Sequence, residues 1–174
     1  SMKRHRIALI GTGKSVGNHL RAIEANQERI ELVAAVDMDA DRVRSVCEEN
    51  HIPRWYTSTA DMLSEIQPDI VHIITPPATH VDLAIECMEA GAWVYCEKPL
   101  CASLAEFDRL EEAEQGTGRY VSTVFQWRFG SAVKQVRNLI QTEEMGKLLV
   151  SVCHTLWYRT HEYYAAPWRG KWET

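Results

Sequence analysis

Three short motifs of this sequence carry side chains that bind nucleotides or move protons. The first is a glycine turn, Gly11-Thr12-Gly13-Lys14-Ser15-Val16-Gly17, and the second is a single acid, Asp37. The third is Glu97-Lys98-Pro99, in which an acid and an amine stand side by side. A glycine turn before a helix binds phosphate, and a lysine beside an acid suits proton exchange with a hydroxyl group.

The glycine turn follows an apolar run at 6–10 and precedes a predicted helix over 15–26. In the dinucleotide pattern G-x-G-x-x-G, the first glycine makes the turn and the second lets the backbone approach a pyrophosphate. Gly11 and Gly13 fit these two places, whereas Val16 takes the third and Gly17 comes one residue late. We therefore predict a pyrophosphate site. Val16 in place of the third glycine does not predict close packing of the helix on the strand. Its predicted residues are Gly11, Thr12, Gly13, Lys14, Ser15 and Val16.

Asp37 ends a second apolar run, at 31–36. An acid at that distance from the glycine turn accepts hydrogen bonds from a ribose and repels a 2′-phosphate. Asp37 alone is equally typical of a turn or a helix N-cap. With the glycine turn before it, we predict a ribose contact and expect NAD in preference to NADP.

Two more apolar runs, at 69–75 and 93–96, end in polar corners. The carboxyl ends of parallel strands meet at the ligand crevice, so these corners are predicted to face the cofactor. Each corner also has an alternative interpretation when it is taken alone. His80 is then a surface or capping histidine, and Glu97 and Lys98 are a solvated charge pair in a turn. We expect Lys98 to donate to a substrate hydroxyl oxygen, and Pro99 is a candidate for a cis peptide bond. The predicted corner residues are Thr75, Pro76, His80, Glu97 and Lys98.

Between these motifs, short apolar runs typical of strands alternate with amphipathic stretches typical of helices. The strand runs are apolar throughout and do not alternate with polar residues. This alternation of strands and helices predicts an α/β fold over residues 1–125. The expected architecture is a Rossmann-type doubly wound parallel sheet with helices on both faces. Residues 126–174 are predicted to begin a second α/β domain, with a helix over 132–142 and a long strand over 147–155.

Composition excludes several classes of protein. The 174 residues are 45% hydrophobic and 25% charged, with a net charge of −5 and no basic cluster, so we expect neither nucleic-acid nor membrane binding. Five cysteines without a C-x-x-C pair indicate reduced thiols in a cytoplasm and no metal site.

Two other nucleotide-binding classes use similar turns. Residues 8–15 nearly match a P-loop, with Ala8 in place of its first glycine, but such a loop would take Leu9 and Ile10 out of the first strand. Methyltransferases usually carry an acid where this chain has Ile10. A P-loop NTPase and a non-catalytic dinucleotide-binding module remain the alternatives.

Taken in order, the motifs resemble the glucose–fructose oxidoreductase / inositol dehydrogenase (Gfo/Idh/MocA) family. The resemblance rests on Gly11-x-Gly13, Asp37, Thr75-Pro76-x-x-x-His80, Glu97-Lys98-Pro99 and Gln126-Trp127-Arg128-Phe129. It implies hydride transfer between a nicotinamide and a carbinol carbon of a sugar or polyol, with a homo-oligomeric enzyme. It further implies that Lys98 is catalytic and that Arg128 lies near the substrate.

The same resemblance implies an acid/base histidine and an aspartate after a stretch like Trp168-Arg169-Gly170. The sequence ends before that point. We therefore expect a fragment of a longer enzyme, one that keeps much of the cofactor site and lacks efficient catalysis.

Overall fold

The computed structural model describes residues 3–167 and 169–171. Trp168, of the tryptophan–arginine–glycine stretch, lies outside the described residues. The chain divides into two compact units, Ser1–Val124 and Phe125–Thr174.

One parallel sheet of six strands forms the centre of the first unit, in the order β3-β2-β1-β4-β5-β6. The chain starts a new half of the sheet at β4, which pairs with β1 on the side away from β2. The Rossmann-type doubly wound sheet is therefore confirmed. Its strands are β1 His5–Ile10, β2 Ile30–Val36, β3 Arg54–Tyr56, β4 Ile70–Ile73, β5 Trp93–Cys96 and β6 Val121–Thr123. The edge strand β3 has only three residues, Arg-Trp-Tyr, and the apolar runs did not reveal it.

Helices cover both faces of this sheet. Alternate strand residues point to opposite faces, so Ile7 and Leu9 meet α1 and α2, whereas Ala8 and Ile10 meet α3 and α4. Both faces bury the strands, which explains why they read as continuous apolar runs. The helices of this unit are α1 Val16–Glu24, α2 Ala40–Glu49, α3 Thr59–Ile66, α4 His80–Glu89 and α5 Leu104–Thr117.

Local signals set the helix ends. The Ser58 hydroxyl accepts from the Asp61 N–H, and the Ser103 hydroxyl accepts from the Glu106 N–H, as the two S-x-x-[DE] patterns predict. Gly118 ends α5 with a left-handed φ of 66°. The two serine caps fix where α3 and α5 begin, and Gly118 fixes where α5 ends.

The second unit contains a 3₁₀ turn at Gln126–Phe129, α6 Ser131–Gln141 and α7 His161–Tyr164. The helix predicted over 132–142 matches α6, but the strand predicted over 147–155 is wrong, since no strand forms there. Leu149, Val150 and Val152 are exposed, and no strand among the described residues pairs with this stretch. None of the helices within the described ranges is long and apolar enough to cross a bilayer.

Candidate functional site

The glycine turn leaves β1 and enters α1 at the carboxyl edge of the sheet. Gly11 has a φ of 96°, and a Cβ there would lie 2.9 Å from the carbonyl carbon of Ile74. Gly13 differs, because a Cβ there would have no heavy atom within 4 Å. Gly11 thus makes the close approach to β4, while the space beside Gly13 is open. Val16 packs against the apolar cluster of its face, so its departure from the glycine pattern is accommodated.

Asp37 follows β2 and is tied to this turn. One carboxylate oxygen, Oδ2, accepts from both the backbone N–H and the hydroxyl of Thr12, each at 2.8 Å. The Arg42 guanidinium and the Asp39 N–H donate to the same carboxylate. Burial raises the pKa of Asp37, but the hydrogen bonds from Arg42, Asp39 and Thr12 outweigh burial and lower this pKa to about 2. Asp37 is therefore an oriented carboxylate beside the glycine turn.

His80 joins the corners that follow β4 and β5. Its ring lies 2.7 Å (Nδ1) from the Pro99 carbonyl oxygen and 2.8 Å (Nε2) from the Thr75 carbonyl oxygen. The residue is 0% exposed, so it lies behind the crevice wall. Both ring nitrogens of His80 face protein carbonyls, so the histidine joins the two corners, and the cofactor contact expected of it stays a prediction. Thr75 and Pro76 remain at the surface of the corner.

Glu97 and Lys98 follow β5 at the same edge of the sheet. The His19 ring nitrogen Nε2 lies 3.0 Å from Glu97 Oε1, and the Lys98 N–H donates to Glu97 Oε2. The hydrogen bond from His19 lowers the pKa of Glu97 against the opposing effect of burial. The Lys98 side chain is exposed, and the Lys98–Pro99 peptide bond is cis, as the motif suggested.

The structure thus brings most of the predicted site residues of the first unit to one edge. Gly11 to Val16, Asp37, Thr75-Pro76 and Glu97-Lys98 all follow the carboxyl ends of neighbouring strands. Arg128 lies in the second unit, exposed, in the 3₁₀ turn Gln126–Phe129.

Sequence reasoning missed three residues of this edge. Arg42 binds Asp37, and the buried His19 and His72 stand behind Glu97. A signal existed for the histidines, since each interrupts an otherwise apolar face, α1 beside Val16, Leu20 and Ile23, and β4 in its centre.

The edge suits a dinucleotide. The Ser15 side chain makes no capping hydrogen bond, which leaves the start of α1 available to an anion, and the space beside Gly13 admits one. The P-loop interpretation fits less well, because Leu9 and Ile10 belong to β1 and pair with β2 and β4.

The comparison with protein families decides the assignment. The profile described as "Oxidoreductase family, NAD-binding Rossmann fold" matches residues 5–125. The chain belongs to the Gfo/Idh/MocA family. This NAD-binding membership confirms the cofactor class predicted for the glycine turn.

Individual relatives agree with the family. Inositol 2-dehydrogenase 3 of Saccharopolyspora erythraea is 32% identical over 149 residues, which are 85% of this chain and 44% of that protein. The chain thus spans about half the length of the curated relatives it matches.

Two solved structures of dehydrogenases match this chain over different lengths. The WlbA dehydrogenase from Bordetella pertussis, in complex with NADH and UDP-GlcNAcA, matches with a TM-score of 0.90 and 30% identity over 98% of this chain and 52% of its own. The myo-inositol 2-dehydrogenase from Lactobacillus plantarum matches with a TM-score of 0.77 and 26% identity over 84% of this chain and 44% of its own.

Proposed function

We propose that this chain is the cofactor-binding part of an NAD-dependent dehydrogenase that oxidises a carbinol carbon of a sugar, polyol or related compound. The observation that carries the proposal is the common edge on which Asp37, the glycine turn and Lys98 are presented. Bound NAD supplies a hydride acceptor; the chain's own residues bind, orient and exchange a proton.

Each residue has a distinct part in this proposal. The glycine turn and the start of α1 bind the pyrophosphate, and Asp37 accepts hydrogen bonds from the adenosine ribose. The Thr75-Pro76 corner and Glu97 line the crevice that holds the cofactor. Lys98, which is exposed at the end of β5, holds the substrate hydroxyl oxygen and assists its proton transfer. Arg128 is proposed as a substrate contact.

A nucleotide-linked sugar is the substrate class that the comparisons favour over free inositol. The match to the WlbA dehydrogenase extends over 98% of this chain and so through the second unit, whereas the match to myo-inositol 2-dehydrogenase covers 84%. Since the second unit is the proposed start of the substrate domain, likeness there bears on the substrate.

Titration calorimetry with NADH, NADPH and Mg-ATP tests the binding part of the proposal. We expect saturable NADH binding, weaker NADPH binding and no heat from Mg-ATP. Binding of Mg-ATP alone would overturn the dinucleotide site in favour of a P-loop. In a full-length protein carrying this chain, NADH formation with UDP-GlcNAcA and not with myo-inositol would support the nucleotide-sugar class. NADH binding without turnover of any sugar or polyol would favour a non-catalytic module.

The proposal includes the setting of the full-length enzyme. We propose a homo-oligomer in the cytoplasm, acting on small molecules and not on nucleic acid. All five cysteines are free thiols, which supports a reducing compartment.

A further inference from the structure

Two buried histidines meet behind the Glu97-Lys98 corner. His19 comes from α1 and His72 from the centre of β4, and they are 5% and 9% exposed. Their Nδ1 atoms lie 3.1 Å apart, and His19 Nε2 lies 3.0 Å from Glu97 Oε1. The Tyr95 ring packs against both imidazoles, with centroids 6.1 Å and 5.1 Å away. The three polar side chains therefore form a continuous hydrogen-bonded chain from β4 through α1 to the end of β5.

The chemistry of these contacts fixes the hydrogen on one atom. Glu97 has a lowered pKa, chiefly through the hydrogen bond from His19, so its carboxylate is ionised and only accepts. His19 must then carry a hydrogen on Nε2. This requirement leaves Nδ1 of His19 to face His72.

The contact between the two Nδ1 atoms needs one hydrogen. Burial, with His19 nearby, lowers the pKa of His72 to about 3, so that ring is neutral at neutral pH. Either His72 donates to a neutral His19, or a protonated His19 donates to His72. In both forms His19 keeps its hydrogen on Nε2 and donates it to Glu97 Oε1, because His72 occupies the other ring nitrogen.

We propose that His19, whose Nδ1 is held by His72, is a positioning residue that fixes the Glu97 carboxylate and, through it, the backbone of Lys98. The link to Lys98 is direct, since its N–H donates to Glu97 Oε2 at 3.2 Å. This inference rests on the proposed function, in which Glu97 lines the cofactor crevice and Lys98 acts on the substrate.

The location of His19 connects two parts of the site. Helix α1 begins at Val16, directly after the glycine turn, and His19 lies one turn further along the same helix. The helix that offers its N-terminus to the pyrophosphate therefore also sets the orientation of the acid before Lys98. A change in the seating of α1 is passed to Glu97 through a single hydrogen bond.

A matched pair of variants tests this role in the present chain. His19→Gln keeps an N–H donor near the place of Nε2, whereas His19→Leu removes it and leaves an apolar side chain suited to the burial. We expect the Lys98 amide to exchange with solvent about 10-fold faster in His19→Leu, the loss that a hydrogen bond to a charged group accounts for. His19→Gln should retain most of the protection. His51→Asn, at an exposed position, is the control.

Two further measurements separate positioning from mere packing. Imidazole ¹⁵N spectra should show His19 protonated at Nε2 and His72 neutral, a pattern that a packing role does not require. NADH should bind His19→Leu about 10-fold more weakly than the unchanged chain, while His19→Gln stays close to it.

The outcomes are distinguishable. If the unchanged chain binds no NADH, the proposed function fails, while amide exchange and the ¹⁵N pattern still decide the role of His19. If NADH binds but His19→Leu matches the unchanged chain in affinity and Lys98 exchange, the positioning role is overturned and the proposed function stands. Unfolding midpoints measured alongside show whether His19→Leu is folded. If it is not, Glu97→Gln replaces it, and an unmoved His19 Nε2 resonance there overturns the inference.

Discussion

The Arg42 guanidinium binds both carboxylate oxygens of Asp37, with Nη2 2.8 Å from Oδ1 and Nε 3.3 Å from Oδ2. Thr12, in the glycine turn, donates to Oδ2 from the other side. The carboxylate is therefore held between the glycine turn and α2. Arg42 is half exposed, while Asp37 is only 9% exposed. A cation thus partly balances the acid at the very place where the choice between NAD and NADP is proposed to be made.

Replacing Asp37 with Ser should relax this choice. Loss of the carboxylate removes the repulsion of a 2′-phosphate and frees Arg42 to pair with it, so the ratio of the Kd for NADPH to that for NADH should fall about 10-fold. Asp39→Ser is the matched control, because serine preserves the N-cap of α2. An unchanged ratio in Asp37→Ser, measured by calorimetry, would sink the ribose role of Asp37.

The same ion pair predicts a pH dependence of stability. The folded pKa of Asp37 is about 2, against an ordinary value of 3.8 that the unfolded chain restores. A lowered folded pKa stabilises the fold above about pH 4 and loses that contribution as pH falls towards 2. Between about pH 5 and pH 2.5, the unchanged chain should lose 1–2 kcal/mol more unfolding free energy than Asp37→Asn, roughly as linkage requires. Parallel urea-unfolding results for the two proteins would show that Asp37 does not contribute in this way.

The two glycines of the turn should separate folding from binding. Gly11→Ala places a Cβ 2.9 Å from the Ile74 carbonyl carbon at a φ of 96°, so it should cost about 2–3 kcal/mol of unfolding free energy. Gly13→Ala meets open space and should leave stability within about 0.5 kcal/mol, yet weaken NADH binding by filling the place of the pyrophosphate. Urea unfolding and calorimetry on both variants check this. The reverse pattern would contradict the assigned roles.

His80 should matter for stability because it joins two corners. His80→Phe removes the ring nitrogens that face the Thr75 and Pro99 carbonyl oxygens at a fully buried side chain, which should cost about 1–2 kcal/mol. Thermal and urea unfolding measure the loss. His154→Phe, at an exposed position, serves as the comparison, and an equal effect in both would indicate that the contacts of the His80 ring with the two carbonyl groups contribute nothing.

The first unit follows closely from the sequence, and the reasons are local. Apolar runs such as 6–10 gave the central strands, and Ser58 and Ser103 gave helix starts, because each signal depends on neighbours along the chain. The glycine turn and Asp37 likewise lie at fixed distances within one strand–helix–strand unit.

What depends on distant residues could not be predicted in this way. The partners of Asp37 and Glu97 are set by how α2 and α1 lie on the sheet. The apolar face that His19 interrupts marks this residue as unusual, but it does not show that its partner is Glu97, and Arg42 carries no signal at all. The strand expected over 147–155 failed for a related reason, since Val150 and Val152 have strand-forming side chains but no paired strand. The sequence likewise does not mark the Thr75 and Pro99 carbonyl groups that the His80 ring contacts.

The contact between Gly11 and Ile74 also affects the order of events during synthesis. The backbone that Gly11 approaches is that of Ile74, directly after β4. Ile74 is synthesised only after α2, β3 and α3 have been made. A nascent chain that ends after β2 has the glycines, Thr12 and Asp37, but it lacks the backbone against which Gly11 rests. The turn therefore takes its final form only once β1 has paired with β4, and we expect the cofactor to bind after that pairing.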